Sequence, residues 1–199
     1  MLLPDGYHDL PPGKLATVVT FLEMRAAVPA RSVPDDPSRR LRHVPRPGLD
    51  WYRALYRAVG EDWLWSSRLV MPDHELGAIL ASPEVEVHVL EIDGHEGGIL
   101  ELDFRQPGAC EITFFGLVPA QVGRGHGRWL MDRAVSRAFA RPIDRLWLHT
   151  CSLDAPEALA FYRRSGFVPY AQQVEVFDDP RLLGALPRTA APQVPLFVR

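Results

Sequence analysis

Gly123-Arg124-Gly125-His126-Gly127-Arg128 alternates three glycines with basic or titratable side chains. Glycine has no Cβ, so backbone N–H groups around it can come close to a ligand. An amphipathic helical pattern follows, and a helix N-terminus adds unpaired donors and a partial positive charge. Together these make an anion cradle, most often one for phosphate. Two common nucleotide motifs fail here. A dinucleotide fingerprint needs Gly or Ala in its last place, but counting from Gly123 that place is Arg128, and counting from Gly125 it is Leu130. A Walker-type loop needs Gly-Lys-Ser/Thr, and the only lysine of the chain is Lys14. Read alone, the segment is equally a structural glycine turn.

The elements that must hold this segment follow from periodicity. Residues 1–13 read as an irregular leader, 14–177 as one domain and 178–199 as a tail with four prolines. Leu15 to Met24 is rich in β-branched and apolar residues and predicts a strand. Val28 to Gly48 holds five prolines and an arginine cluster and reads as a long loop. Leu49 to Val59 predicts a helix, with Trp51, Leu55 and Val59 on one face. Asp73 is placed to cap a short helix ending near Leu80.

The period then changes to two. Val85 to Ile92 alternates as a strand, Asp93-Gly94 signals a hairpin, and Gly98 to Arg105 returns. Cys110 to Val118 predicts a third strand, with Gly116 as a bulge or a close approach. After the glycines, Leu130, Met131, Ala134, Val135 and Ala138 form the buried stripe of a helix reaching about Ala140. Arg145 to Thr150 predicts a strand. Asp154, with Glu157, is placed to cap the next helix, Gly166 to stop it, and Phe167 to Val176 to close the domain as a strand. The order is that of a single mixed α/β domain.

Composition narrows the function classes. The 199 residues carry a net charge of −3, which argues against a nucleic-acid footprint. Two cysteines, Cys110 and Cys151, make no disulfide framework, and Cys151 reads as a small buried hydrophobe. No signal-peptide pattern or membrane-length apolar run is present, so a cytoplasmic location is expected.

A strand, then Val122-Gly123-Arg124-Gly125-His126-Gly127, then an amphipathic helix resembles the acyl-CoA-binding motif Q/R-x-x-G-x-G/A of the GNAT (Gcn5-related) N-acetyltransferase superfamily. Val122 departs from the first place of that motif. A second signature is similar as well: Ala158, Tyr162, Gly166 and Phe167 match in register, while Ala155 stands where Asn is usual. The resemblance implies a mostly antiparallel sheet with splayed central strands flanked by helices. It implies acetyl transfer from acetyl-CoA to an amine by direct attack in a ternary complex, with no metal and no covalent intermediate. The pyrophosphate would sit on the amides of Gly123 to Arg128. Backbone contact is the stronger expectation for Arg124 and Arg128, whose side chains read as a solvated helix face. Leu117 and Val118 would meet the pantetheine arm, one of their N–H groups serving the oxyanion.

An amine acceptor is mostly protonated at neutral pH, so a base is required. Glu-Ile-x-Phe at Glu111 to Phe114 resembles the histone-acetyltransferase branch, which makes Glu111 the first candidate. Its alternative is a surface glutamate on a half-exposed strand. Glu101, Asp103 and His149 are reserves. Tyr162 matches the family tyrosine that protonates the leaving thiolate; its alternative is a core tyrosine. Trp51, Trp63, Trp65 and the loop from Arg31 to Arg46 are candidate acceptor-pocket residues, with Trp51 read as core. The acceptor is a small-molecule or peptide amine, and a homodimer is the base-rate oligomer. The rival reading is a non-catalytic acyl-CoA sensor with the same cradle.

Overall fold

A computed structural model describes residues 3–27 and 36–198. Seven strands form one sheet: β1 (Lys14–Met24), β2 (Arg39–His43), β3 (Val85–Ile92), β4 (His95–Asp103), β5 (Ala109–Leu117), β6 (Arg145–Cys151) and β7 (Val168–Asp178). Their spatial order is β2-β3-β4-β5-β6-β1-β7. All neighbours are antiparallel except β5 and β6, which run parallel. The helices are α1 (Leu49–Gly60), α2 (Ser67–Val70), α3 (Asp73–Ala81), α4 (His126–Ala138) and α5 (Ala158–Arg164). This is the mixed α/β, mostly antiparallel architecture that the sequence predicts.

The sheet is covered on both faces. On one, Leu130, Met131, Ala134 and Ala138 of α4 pack on Leu22, Leu100, Leu102, Ile112, Leu146 and Leu148, with Phe161 and Tyr162 of α5 beside them. On the other, Tyr52, Leu55, Tyr56 and Val59 of α1 and Leu76 of α3 pack on Val87, Val89 and Ile99. The central strands are therefore apolar on both sides. Leu90 and Ile92 of β3 serve the α4 face while Val87 and Val89 serve the other.

Three expectations are corrected. The predicted loop from Val28 to Gly48 contains β2, which pairs with β3 at the sheet edge. Its sequence Arg-Arg-Leu-Arg-His has no apolar alternation because an edge strand tolerates charge. Arg42 instead pairs with Glu91 and Glu96. Asp73 lies inside α3 rather than capping it, and its carboxylate takes Arg53. Asp154 and Glu157 make no capping box: α5 starts at Ala158 without a side-chain cap. Pro156 disfavours helical backbone at Ala155, which delays the helix start past Asp154.

The tail covers hydrophobic surface. Leu186, Ala190 and Ala191 pack with Leu15 and Leu64 in a small third cluster. Beneath them the Arg181 guanidinium, 2 % exposed, pairs with Asp179 at 2.7 Å. Among the described residues no helix is long and apolar enough to cross a membrane.

Candidate active site

Strands β5 and β6 pair only from Ala109–Arg145 to Glu111–Trp147. Beyond that rung they part. On its other side β5 stays paired with β4 through a bulge, where the register shifts between Glu101 and Leu102. The extra residue is Thr113, and a bulge of this kind bends its strand. Gly116 is thus not the bulge, but it is a close approach: a Cβ there would collide with Val59.

The parted edge of β5 carries the useful backbone. Val118 N–H donates to Gly97 O at 3.0 Å, and Val118 O accepts from Gln121. The N–H of Val118 is therefore spent, which removes it from the expected oxyanion donors. In an antiparallel pair the N–H groups alternate between facing the partner and facing away. Counting back along the unbroken register, Leu117 and Phe115 direct their N–H groups away from β4, into the split. Phe115 is a donor that sequence reading missed; alternation along a strand with one pinned end would have found it.

The glycine segment closes one end of this split. A 3-10 turn at Pro119–Gln121 leads into extended Val122, then Gly123 at φ 80° and Gly125 at φ 81°. Both need left-handed backbone, which costs another residue roughly 1–2 kcal/mol. Nothing lies near where their Cβ atoms would be, so conformation rather than space demands glycine. Helix α4 starts at His126, and its first backbone bond is Trp129 N–H to Gly125 O at 3.3 Å. The N–H groups of His126, Gly127 and Arg128 precede that bond and have no acceptor within the helix. They make a concave set of donors at a positive helix end, which fits a pyrophosphate.

Arg124 and Arg128 are exposed, as a solvated helix face requires. The His126 side chain is buried, and burial, then Arg39, hold its pKa below the ordinary histidine value. Its part in the cradle is its backbone N–H. A Cβ on Gly127 would touch Leu117 Cδ1 at 3.8 Å and Phe161 at 4.0 Å, so the cradle abuts the split.

Tyr162 borders the split beside Phe115, with ring centroids 6.2 Å apart. The end of α5 holds it there. Phe167 N–H bonds Tyr162 O and Gly166 N–H bonds Arg163 O, both at 3.1 Å, with Gly166 at φ 99°. This is a Schellman stop, which brings a hydrophobic contact between its first and last partners. Here that contact is Tyr162 on Phe167, 6.3 Å between ring centroids. Tyr, Gly and Phe thus act as one device that aims the tyrosine. Burial, then Asp154, push its phenol pKa up.

Glu111 sits on the last paired rung, at the closed end of the split. Its Oε1 lies 3.6 Å from His149 Nδ1, and both side chains reach solvent. Glu111 holds the His149 pKa above its ordinary value, against burial. The reserves are engaged elsewhere. Glu101 is fully buried and bonded to Tyr52 Oη at 2.5 Å and Arg68 Nη2 at 2.6 Å, and Arg105 clamps Asp103. Asp154 gathers Thr150 Oγ1 at 2.7 Å, Cys151 N–H at 2.9 Å and Trp65 Nε1 at 3.3 Å. Trp51 points elsewhere, donating to Glu96. Arg31 lies outside the described residues, and Arg39, Arg40 and Arg42 belong to the edge strand β2, three strands from the split. Cys110 and Cys151 are free thiols.

A parallel pair of strands opening beside a glycine-capped helix defines the acyl-CoA N-acyltransferase class of fold. The Acetyltransferase (GNAT) family pattern matches residues 49–167, and the chain belongs to that family. A mycothiol acetyltransferase of Beutenbergia cavernae is 36% identical over 113 residues, which are 56% of this chain and 32% of that protein. The chain therefore spans about a third of that relative's length. A GCN5-related N-acetyltransferase from Kribbella flavida superposes with a TM-score of 0.56 at 18% identity, over 86% of this chain and 63% of the other. A functionally unknown conserved protein from Staphylococcus epidermidis gives 0.57 at 14% identity, over 84% and 63%. At these identities the two structures speak for the fold.

Proposed function

We propose that this chain transfers an acetyl group from acetyl-CoA to a primary amine, by direct attack while both substrates are bound. The observation that carries it is the free β5 edge, which runs from the cradle to Tyr162 with the N–H groups of Leu117 and Phe115 turned outward. An extended pantetheine arm can pair with such an edge as an added strand would. Leu117, next to Gly127, is the partner nearer the pyrophosphate. Phe115, next to Tyr162, is the donor nearer the thioester. Its N–H is aimed where negative charge grows on the carbonyl oxygen, the geometry that favours the transition state over the substrate.

Glu111 takes the proton that the amine must lose before attack, and His149 stabilises and relays it. Tyr162 gives the departing thiolate its proton. Its raised pKa keeps the phenol protonated until the thiolate forms beside it. Family membership and the alignment with an acetyltransferase support acetyl as the group moved.

The test is release of free CoA from acetyl-CoA across a panel of primary amines. Tyr162→Phe and Glu111→Gln should each lower turnover about 10²–10⁴-fold, while acetyl-CoA still raises the melting temperature of both variants. Binding of acetyl-CoA without release of CoA to any amine would favour the sensor reading. Turnover that survives both substitutions would refute these catalytic roles.

A further inference from the structure

A cavity of about 320 Å³ opens past the end of β6, against the C-terminal segment. Trp63 and Leu153 give it apolar walls, Asp154 a single carboxylate, and Gln193 and Val194 a wall from the tail. The size and the mainly apolar lining with a few polar groups, Asp154 the only charged one, are those of a small-molecule site.

The carboxylate has room for a ligand. Its three protein partners, Trp65, Thr150 and Cys151, are all neutral N–H or O–H donors. A carboxylate offers about four acceptor positions, and no ion pair reaches Asp154 among the described residues. The three donors orient it without neutralising it. A negative charge held beside apolar walls selects a cation that carries an apolar body. The cavity also adjoins the split: Asp154 accepts from Thr150 near the end of β6 and from Trp65, whose ring lies 5.3 Å from that of Phe114 on β5.

The tail wall is fixed in place. The buried Arg181 guanidinium bonds Asp179 and donates to the carbonyls of Ala190, Ala191, Val194 and Pro195, between 2.8 and 3.4 Å. Gln193 Nε2 donates to Asp62 O at 2.7 Å, which ties the wall to the turn that carries Trp63. One guanidinium thus holds the turns that line the cavity.

We infer that this cavity receives the acceptor, that Asp154 recognises its ammonium group, and that the chain's own C-terminal segment limits the acceptor's size. The inference rests on the acetyl-transfer reading for its purpose, but its binding test does not need turnover. Benzylamine and its neutral counterpart benzyl alcohol are titrated into the full chain, with and without saturating CoA, and followed by saturation-transfer NMR. Benzylamine should bind about tenfold tighter than the alcohol, a preference that shrinks with added salt. Asp154→Asn should erase the preference. Val194→Trp, which fills the cavity from the tail, should abolish binding of both probes. Retained CoA binding verifies that each variant is folded. The salt dependence in the unmodified chain keeps the test decisive if Asp154→Asn does not fold. Equal affinity for the two probes, no binding of benzylamine, or a preference that survives Asp154→Asn overturns the inference. Loss of CoA binding by the unmodified chain would instead overturn the acetyl-transfer reading, leaving the probe preference to stand or fall by itself.

Discussion

The proposed phosphate cradle is made of six consecutive residues, Gly123 to Arg128, whereas the cavity at Asp154 is made of three stretches scattered along the chain. The cradle works through backbone N–H groups, which every residue but proline has, so beyond the two glycines that its left-handed turns require, its side chains are free to vary. The cavity works through side chains, and each must be carried in by its own element. Trp65 reaches Asp154 across 89 residues of sequence, and Gln193 reaches Asp62 across 131. A donor common to many acetyl transfers suits local backbone geometry. An acceptor that differs from protein to protein suits side chains on separate loops.

Six substitutions would break or sharpen this contrast. Arg181→Gln is expected to have the largest effect on stability. It leaves the Asp179 carboxylate buried without its partner, which costs about 3–5 kcal/mol in urea unfolding. Proteolysis should then cut first near Pro187 to Pro195, while CoA stabilisation of the remaining fold persists. Equal loss of CoA binding would mean that the two regions are not independent.

Gly125→Ala should cost about 1–2 kcal/mol through its left-handed backbone and should weaken CoA binding measurably by calorimetry. Gly127→Ala is the control, because its added methyl meets only ordinary contacts and lies in a first helical turn. It should raise stability by about 0.4–1 kcal/mol and leave CoA binding nearly unchanged. Similar losses at both positions would show that the glycines serve close approach rather than conformation.

Glu111→Gln should lower the His149 pKa, read by NMR of the imidazole. The sign follows from the raised pKa. The ion pair stabilises the fold below the ordinary histidine value near 6.5 and ceases to do so as pH rises through the raised one. The variant should therefore be less stable than the unmodified chain on the acidic side, down to where carboxylates protonate, and equal to it at alkaline pH. The deficit should be under about 1 kcal/mol because both groups are solvated.

Arg124→Ala and Arg128→Ala should have the smallest effects. Each should weaken CoA binding by no more than about fivefold and in a salt-dependent way, since both side chains lie in solvent.

Much of the fold was legible because its elements are strongly periodic. The buried stripe of α4 and the hairpin at Asp93-Gly94 stand where pattern puts them. Strand β2 was hidden because four of its five residues are basic, so its pairing with β3 leaves no hydrophobic signature. In the candidate site, Tyr162 was legible through the spacing to Gly166 and Phe167, which encodes one local hydrogen-bonded turn. Asp154 was misread, since an Asp three residues before a Glu looks like a cap whatever its carboxylate meets. Which of Leu117 and Val118 keeps a free N–H was not legible, because it depends on Gly97, on another strand.

The sequence by itself determined the cradle, the Schellman stop that aims Tyr162, and the order of the elements. Each depends on backbone conformations and spacings within a few residues. Only the tertiary structure decided that β1 lies between β6 and β7, that β5 and β6 part after Glu111, and that the tail walls a cavity at Asp154. Those are choices of partner among groups more than a hundred residues apart or on separate strands. Many strands and loops offer equivalent backbone donors and apolar surface, so no local pattern names the partner. Packing the whole sheet does.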